Sequence, residues 1–128
     1  MSQIEILKEF KTQLLAFFDE LIGQFPREGD LVVVRLFLAN QLPIKDAMDE
    51  FILKITKNNN ELRKMVKERN EKFFLEHNIF QSCSKEQTNN FKKLWISGQL
   101  DDEDKEVIWK WIEAFIFLAD KYTTAINK

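Results

Sequence analysis

His77 and Cys83 are the residues of this sequence best suited to catalysis, and each is the only member of its type. A zinc site usually takes four nitrogen or sulfur ligands, so one histidine and one cysteine cannot assemble it within a single chain. Cys83 could be a nucleophile with His77 as its base, but an ordinary cysteine and histidine are the simpler interpretation. We therefore predict no catalytic residues, no metal, no cofactor and no small-molecule substrate.

Residues 101–104, with the sequence DDED, invite comparison with a calcium-binding loop. An EF-hand loop starting at Asp101 would need glycine and glutamate where the sequence has Glu106 and Ile112. The same acidic residues suit the start of a helix, because the helix dipole favours negative charge in the first turn. We expect a capped helix here and no cation site. Sequence signatures of phosphate-binding loops, serine hydrolases and zinc proteases are absent.

Residues 54–72 carry seven lysines and arginines against three glutamates. Such an excess could contact phosphates, and Lys64, Lys67 and Arg69 are the candidate nucleic-acid-binding residues. The acids are interleaved with the bases, however, and no ladder of exposed aromatic residues accompanies them for base stacking. A solvated helix face is therefore favoured over a nucleic-acid interface.

Several patterns predict the helices that would position these residues. Ser2 and Glu5 have the spacing of a capping box at the start of a first helix, which Gly23 should end in a left-handed conformation. Residues 31–40 contain three consecutive valines and could form a strand, but a helix is favoured because no partner strand is apparent. A third helix should run from about Ile44 to Thr56, where residues 58–60, all asparagine, break it.

The C-terminal segment VIWKWIEAFIFLA, residues 107–119, has only two charged residues in an otherwise apolar helix. In a helix Trp109 and Trp111 point about 160° apart, so both face a core only if the helix is surrounded. The helix is thus either the centre of a bundle or the site of a partner. We predict that an apolar excess at a subunit interface is formed by Trp109, Ile112, Ile116 and Phe117.

The overall composition fits one helical domain over residues 1–128. The chain has few glycines and prolines, large aromatic residues and a net charge of −2. We expect an all-α fold, a single compact bundle of about six helices with the long apolar C-terminal helix as its spine. A single cysteine, no evident signal peptide and a C-terminal apolar segment only about 20 Å long favour an intracellular protein that is not inserted in a membrane.

A set of residues between positions 10 and 30 forms a further pattern: Phe10, Leu14, Phe17, Leu21, Ile22, Phe25, Pro26 and Asp30. This pattern resembles the opening segment of small uncharacterised helical proteins of large nucleocytoplasmic DNA viruses of amoebae and algae. The later Phe73-Phe74-Leu75-Glu76 resembles a feature of the same family, and the two matches cover about a fifth of the chain. The resemblance implies a viral protein and identifies neither catalytic residues nor a ligand.

These observations give three functional hypotheses. The leading one is a non-enzymatic protein that binds another copy of itself or another viral protein, as a virion component or assembly factor in the host cytoplasm or the virion. The second is a nucleic-acid-associated factor that uses the basic helix at residues 54–72. The third is a host-directed regulator that binds a peptide helix in a groove.

Overall fold

The computed structural model describes residues 2–76, Lys93, Trp95, Gly98 and residues 100–127. These residues form helices and no strand within the described ranges, so the expected all-α fold class is confirmed. The helices are α1 (Gln3–Gln24), α2 (Gly29–Asn40), α3 (Ile44–Lys67), α4 (Glu71–Glu76) and α5 (Asp102–Ile126). The capping-box spacing of Ser84 and Gln87 predicts another helix from Ser84. This helix lies outside the described residues, apart from Lys93 and Trp95, which are both helical.

The chain divides into two units. Unit 1 consists of Met1–Asp49 and Phe117–Lys128, and unit 2 consists of Glu50–Ile116. Helices α1 and α2 belong to unit 1 and α4 to unit 2, while α3 and α5 contribute residues to both units. The single domain expected over residues 1–128 stays a prediction.

Helix α1 begins with Ser2 as its N-cap residue, where the sequence predicted the helix start. The Ser2 hydroxyl accepts a hydrogen bond from the Glu5 N–H at 3.1 Å and donates one to the Glu5 carboxylate at 3.2 Å. The expected end at Gly23 is wrong, because Gly23 lies inside the helix. Helix α1 instead ends where the Phe25 N–H donates to the Leu21 carbonyl oxygen at 2.8 Å.

Helix α2 confirms the helical interpretation of residues 31–40 over the strand. It packs on α1 within unit 1. Its buried residues are Leu31 and Val34, which lie three positions apart and so share one side of the helix. Two polar links accompany this packing: Arg35 Nε donates to Asp19 Oδ1 at 2.5 Å, and Lys11 Nζ donates to the Ala39 carbonyl oxygen at 3.0 Å.

Helix α3 begins at Ile44 as expected and is interrupted where the asparagines were predicted to break it. Lys57 is extended, with ψ of 143°, and Asn58, Asn59 and Asn60 are left-handed, with φ of 52°, 59° and 64°. Asparagine tolerates the left-handed region better than most residues, because its short polar side chain can bond locally. The Asn58 amide donates to the Glu61 carboxylate at 3.1 Å, which links this interruption to the helical turn that follows.

Substitution of Asn59 tests the cost of this left-handed conformation. We expect Asn59→Val to lower the free energy of unfolding by about 1–2 kcal/mol, because a β-branched residue is strained at positive φ. Asn59→Gly should preserve or raise stability, because glycine adopts positive φ freely. Urea unfolding followed by circular dichroism measures both. Thr12→Val, at an exposed helical position of α1, is the control, and an equal loss for Thr12→Val and Asn59→Val would contradict the assignment.

Candidate functional site

The acidic residues 101–104 form the start of α5. The Asp104 N–H donates to Asp101 Oδ1 at 2.8 Å, and the Asp101 N–H donates to Asp104 Oδ2 at 3.2 Å. This reciprocal pair of bonds is a capping box, so these carboxylates satisfy backbone donors at the helix start. No cluster of three or more potential metal ligands occurs among the described residues. His77 and Cys83 lie outside those residues.

Arg69 lies at the end of α3 in a conformation that arginine rarely adopts. Its φ is 55°, and the Asn70 N–H donates to the Met65 carbonyl oxygen at 2.9 Å while the Arg69 N–H donates to the Val66 carbonyl oxygen at 3.1 Å. These two bonds define a Schellman motif, and Arg69 occupies the position that usually requires glycine. The sequence offered no sign of this turn.

The guanidinium of Arg69 binds two carboxylates of α5 in unit 2. It donates to both Glu106 oxygens, at 2.8 and 3.2 Å, and it also bonds Glu113 and the Val66 carbonyl oxygen. The hydrogen bond to Glu106 raises the pKa of Arg69 and lowers the pKa of Glu106. Arg69 is therefore committed to carboxylates, and of the three candidate nucleic-acid-binding residues only Lys64 and Lys67 are exposed.

Two buried tryptophans of unit 2 pack against each other. The rings of Trp95 and Trp109 meet edge to face, with centroids 5.6 Å apart and planes at 80°. Arg69 lies 5.9 Å from the centroid of Trp109, and Lys105 lies 5.7 Å from that of Trp95. Lys105 also pairs with Glu71 at 3.2 Å. Each indole thus has a cation over its ring, and each of these cations has a carboxylate partner.

The predicted interface residues of α5 fall into two groups. Trp109 and Ile112 are only 3% and 1% exposed, so burial in the chain removes them from the surface available to a partner. Ile116 is half-buried, and Phe117 is 58% exposed. Trp111 is half-buried, and its ring centroid lies 6.1 Å from that of Phe115. Only Phe117 of the four candidates stands clearly in solvent.

Phe117 lies on the outward side of α5, among polar side chains. Lys110, Glu113, Asp120 and Thr124 are exposed at the three- and four-residue spacing that places them on the same side. The Lys121 ammonium group lies 4.7 Å from the Phe117 ring centroid. The outward side of this helix is therefore charged, with one aromatic ring, whereas the sequence suggested a helix that was apolar on nearly every face.

Helix α2 carries an exposed apolar cluster that sequence reasoning missed. Val32, Val33 and Leu36 are 39%, 54% and 51% exposed, and their spacing places them together on the side opposite Leu31 and Val34. The signal was present in the sequence, because LVVVRLFLA is apolar on both sides of a helix. The side of α2 with Leu31 and Val34 is buried, whereas the opposite side is exposed. We call Val32, Val33 and Leu36, with the neighbouring Gly29, Ala39 and Asn40, the α2 outer face.

Replacement of Arg69 separates its backbone strain from its side-chain bonds. Both Arg69→Gly and Arg69→Ala lose the bonds to Glu106 and Glu113, so both should be less stable than the wild type. Arg69→Gly should nevertheless exceed Arg69→Ala by about 1 kcal/mol in free energy of unfolding, because only glycine adopts the left-handed conformation freely. Denaturant unfolding measures the difference. Equal stabilities of the two variants would contradict the left-handed turn.

The bond from Arg69 to Glu106 also predicts a pH dependence. A carboxyl whose pKa is lowered on folding stabilises the protein above its unfolded value, here 4.5. That contribution is lost as the pH falls below 4.5 and through the lower pKa of the folded state. We expect the thermal midpoint to fall less steeply below this pH in Glu106→Gln than in the wild type. Glu68→Gln, at an exposed glutamate beside Arg69, is the control and should retain the wild-type slope.

The charged residues around Arg69 in unit 2 and the apolar α2 outer face are the two features of the described surface that carry a functional argument.

None of the helices, within the described part of the chain, is long and apolar enough to cross a membrane. Comparison with protein-family models, curated proteins and solved structures finds no match to this chain. The functional argument therefore depends on the geometry of these residues alone.

Proposed function

We propose that the chain is a non-enzymatic helical protein that acts by binding protein, and that the α2 outer face is its binding surface. The observation that carries the proposal is the joint exposure of Val32, Val33 and Leu36 on one side of α2. Exposed apolar residues that stand singly, such as Ile4 and Leu53, are ordinary on protein surfaces. Three on adjacent positions of one helix are more typical of an interaction site.

The energetic basis of the proposal is the removal of this surface from water. Burial of apolar area contributes about 25 cal/mol per Å². Because Leu31 and Val34 already bind α2 to unit 1, a partner can cover the outer face without rearranging the helix. The links from Arg35 to Asp19 and from Lys11 to the Ala39 carbonyl oxygen also fasten α2 to α1. A rigid surface loses less conformational entropy when a partner binds.

Phe117 supplies a second, smaller contact in the same proposal. It belongs to unit 1, as α2 does, and its ring is exposed. Ile116 contributes only a half-buried side chain. Aromatic residues are enriched among those that dominate binding energy, which supports a role for Phe117 at the margin of a partner surface. Trp109 and Ile112 act in the core in this proposal.

The biological setting of the proposal is a viral one, and it depends on the resemblance of residues 10–30 to proteins of large DNA viruses. We propose a virion component or assembly factor, present in the host cytoplasm or in the virion. We further propose that α5 is the spine of a bundle of about six helices. Mass spectrometry of purified particles tests the packaging, and the absence of the chain from them would exclude a virion component.

Disruption of the α2 outer face tests the binding surface. The wild type, Val33→Glu and Leu53→Glu are used as tagged baits, in cross-linked affinity purification from cells that express the protein. We expect partners retained by the wild type and by Leu53→Glu to be lost with Val33→Glu, because a carboxylate there cannot be desolvated without a counterion. Leu53, 69% exposed on α3, is the matched control for adding charge at an apolar surface position. An identical set of recovered proteins for all three baits would contradict the proposal.

A further inference from the structure

The α2 outer face has no charged side chain. By the step of about 100° per residue, its six positions span an arc of about 120° of the helix surface. The face consists of Gly29, Val32, Val33, Leu36, Ala39 and Asn40. The outward side of α5, by contrast, has Lys110, Glu113 and Asp120, and the exposed residues of α1 include Lys8 and Asp19. Among these helices of the described chain, α2 presents the neutral face.

Arg35 borders this face, but its positive charge is paired with a carboxylate of α1. Its guanidinium donates to both carboxylate oxygens of Asp19, at 2.5 and 3.3 Å, so the positive charge is balanced within the same unit. This bidentate pair points from α2 toward α1 and away from the outer face. A surface brought against α2 therefore meets methyl groups and one amide. At the edge lie the ion pair of Arg35 and the Lys11 ammonium group, which donates to the Ala39 carbonyl oxygen at 3.0 Å.

From this neutrality we infer that the occupant of the α2 outer face is the same face of a second copy of the chain. Two-fold pairing places a surface against itself, so any unbalanced charge on it would meet the same charge. The α2 outer face avoids that repulsion, whereas a charged helix as partner would lose the hydration of its charges against valine and leucine. The net charge of −2 for the whole chain adds little repulsion between copies.

The positions along α2 also suit antiparallel pairing of two copies. A two-fold axis midway along Gly29–Asn40 places Val33 against Leu36 of the second copy and Leu36 against its Val33. The same axis places Gly29 opposite Asn40, so a residue without a side chain lies against the one amide of the face. Antiparallel helices also place opposite dipole ends side by side, which is favourable.

The size of the face sets the expected strength of this contact. A helix of 12 residues is about 18 Å long, and one such stripe is smaller than the roughly 800 Å² per partner of a standard stable interface. The dimer should therefore be weak, with a dissociation constant in the micromolar range or above. This inference rests on the proposed function and identifies its partner as a second copy.

Sedimentation velocity between about 10 µM and about 1 mM tests the pairing, because this range suits a weak interface. The wild type should pass from monomer to dimer. Val33→Lys and Leu36→Glu alone should each raise the dissociation constant at least about tenfold, because each leaves a desolvated charge in the contact. An equimolar mixture of the two variants should recover dimers, because the introduced ammonium group then lies against the introduced carboxylate. Circular dichroism verifies that both variants fold.

Leu53→Glu is the matched control and should dimerise as the wild type does. A wild type that stays monomeric up to about 1 mM would overturn the second copy as occupant. If Val33→Glu still lost a partner in the affinity purification, the proposed protein-binding function would stand while this inference failed. A dimer insensitive to Val33→Lys, or an equal loss with Leu53→Glu, would also overturn it. A mixture no more dimeric than either variant alone would overturn the antiparallel register.

Discussion

The packing of α2 on α1 is the constraint on which the functional account depends. Helix α2 packs on α1, and its buried residues Leu31 and Val34 lie on one side of the helix. The sequence places branched apolar residues on the other side as well, where charged residues would make the helix more soluble. The resulting exposed valines and leucine are not needed for the packing of α2 on α1, which is why they are available for binding.

Unit 2 uses its charges in a different way. Arg69 adopts a strained left-handed conformation that ends α3 and directs its guanidinium to Glu106 and Glu113 of α5. The same guanidinium lies over Trp109, whose ring is buried against Trp95. Conformational strain at a residue that is neither glycine nor asparagine persists only where the surroundings hold it in place. The side-chain bonds of Arg69 provide that restraint, so its positive charge contributes to the fold of unit 2.

The parts of the fold that depend on neighbouring residues in the sequence could be predicted from it. Local backbone preferences account for three of these parts: the Ser2 N-cap, the helix over residues 31–40 and the break at residues 58–60. The network of Arg69 could not be predicted, because its carboxylate partners lie 37 and 44 positions away. The orientation of α2 had the same obstacle, since both sides of the helix are apolar and only its packing on α1 decides which is buried.

The central claim is that the α2 outer face binds a second copy of the chain, and its most direct test is the methyl NMR spectrum of valine- and leucine-labelled protein as its concentration is raised. The account predicts that the methyl resonances of Val32, Val33 and Leu36 shift together with increasing concentration. Those of buried Leu31 should shift less, and those of Leu53, exposed on α3, should stay fixed. Shifts centred on Leu53, or a spectrum independent of concentration up to about 1 mM, would contradict self-association through the α2 outer face.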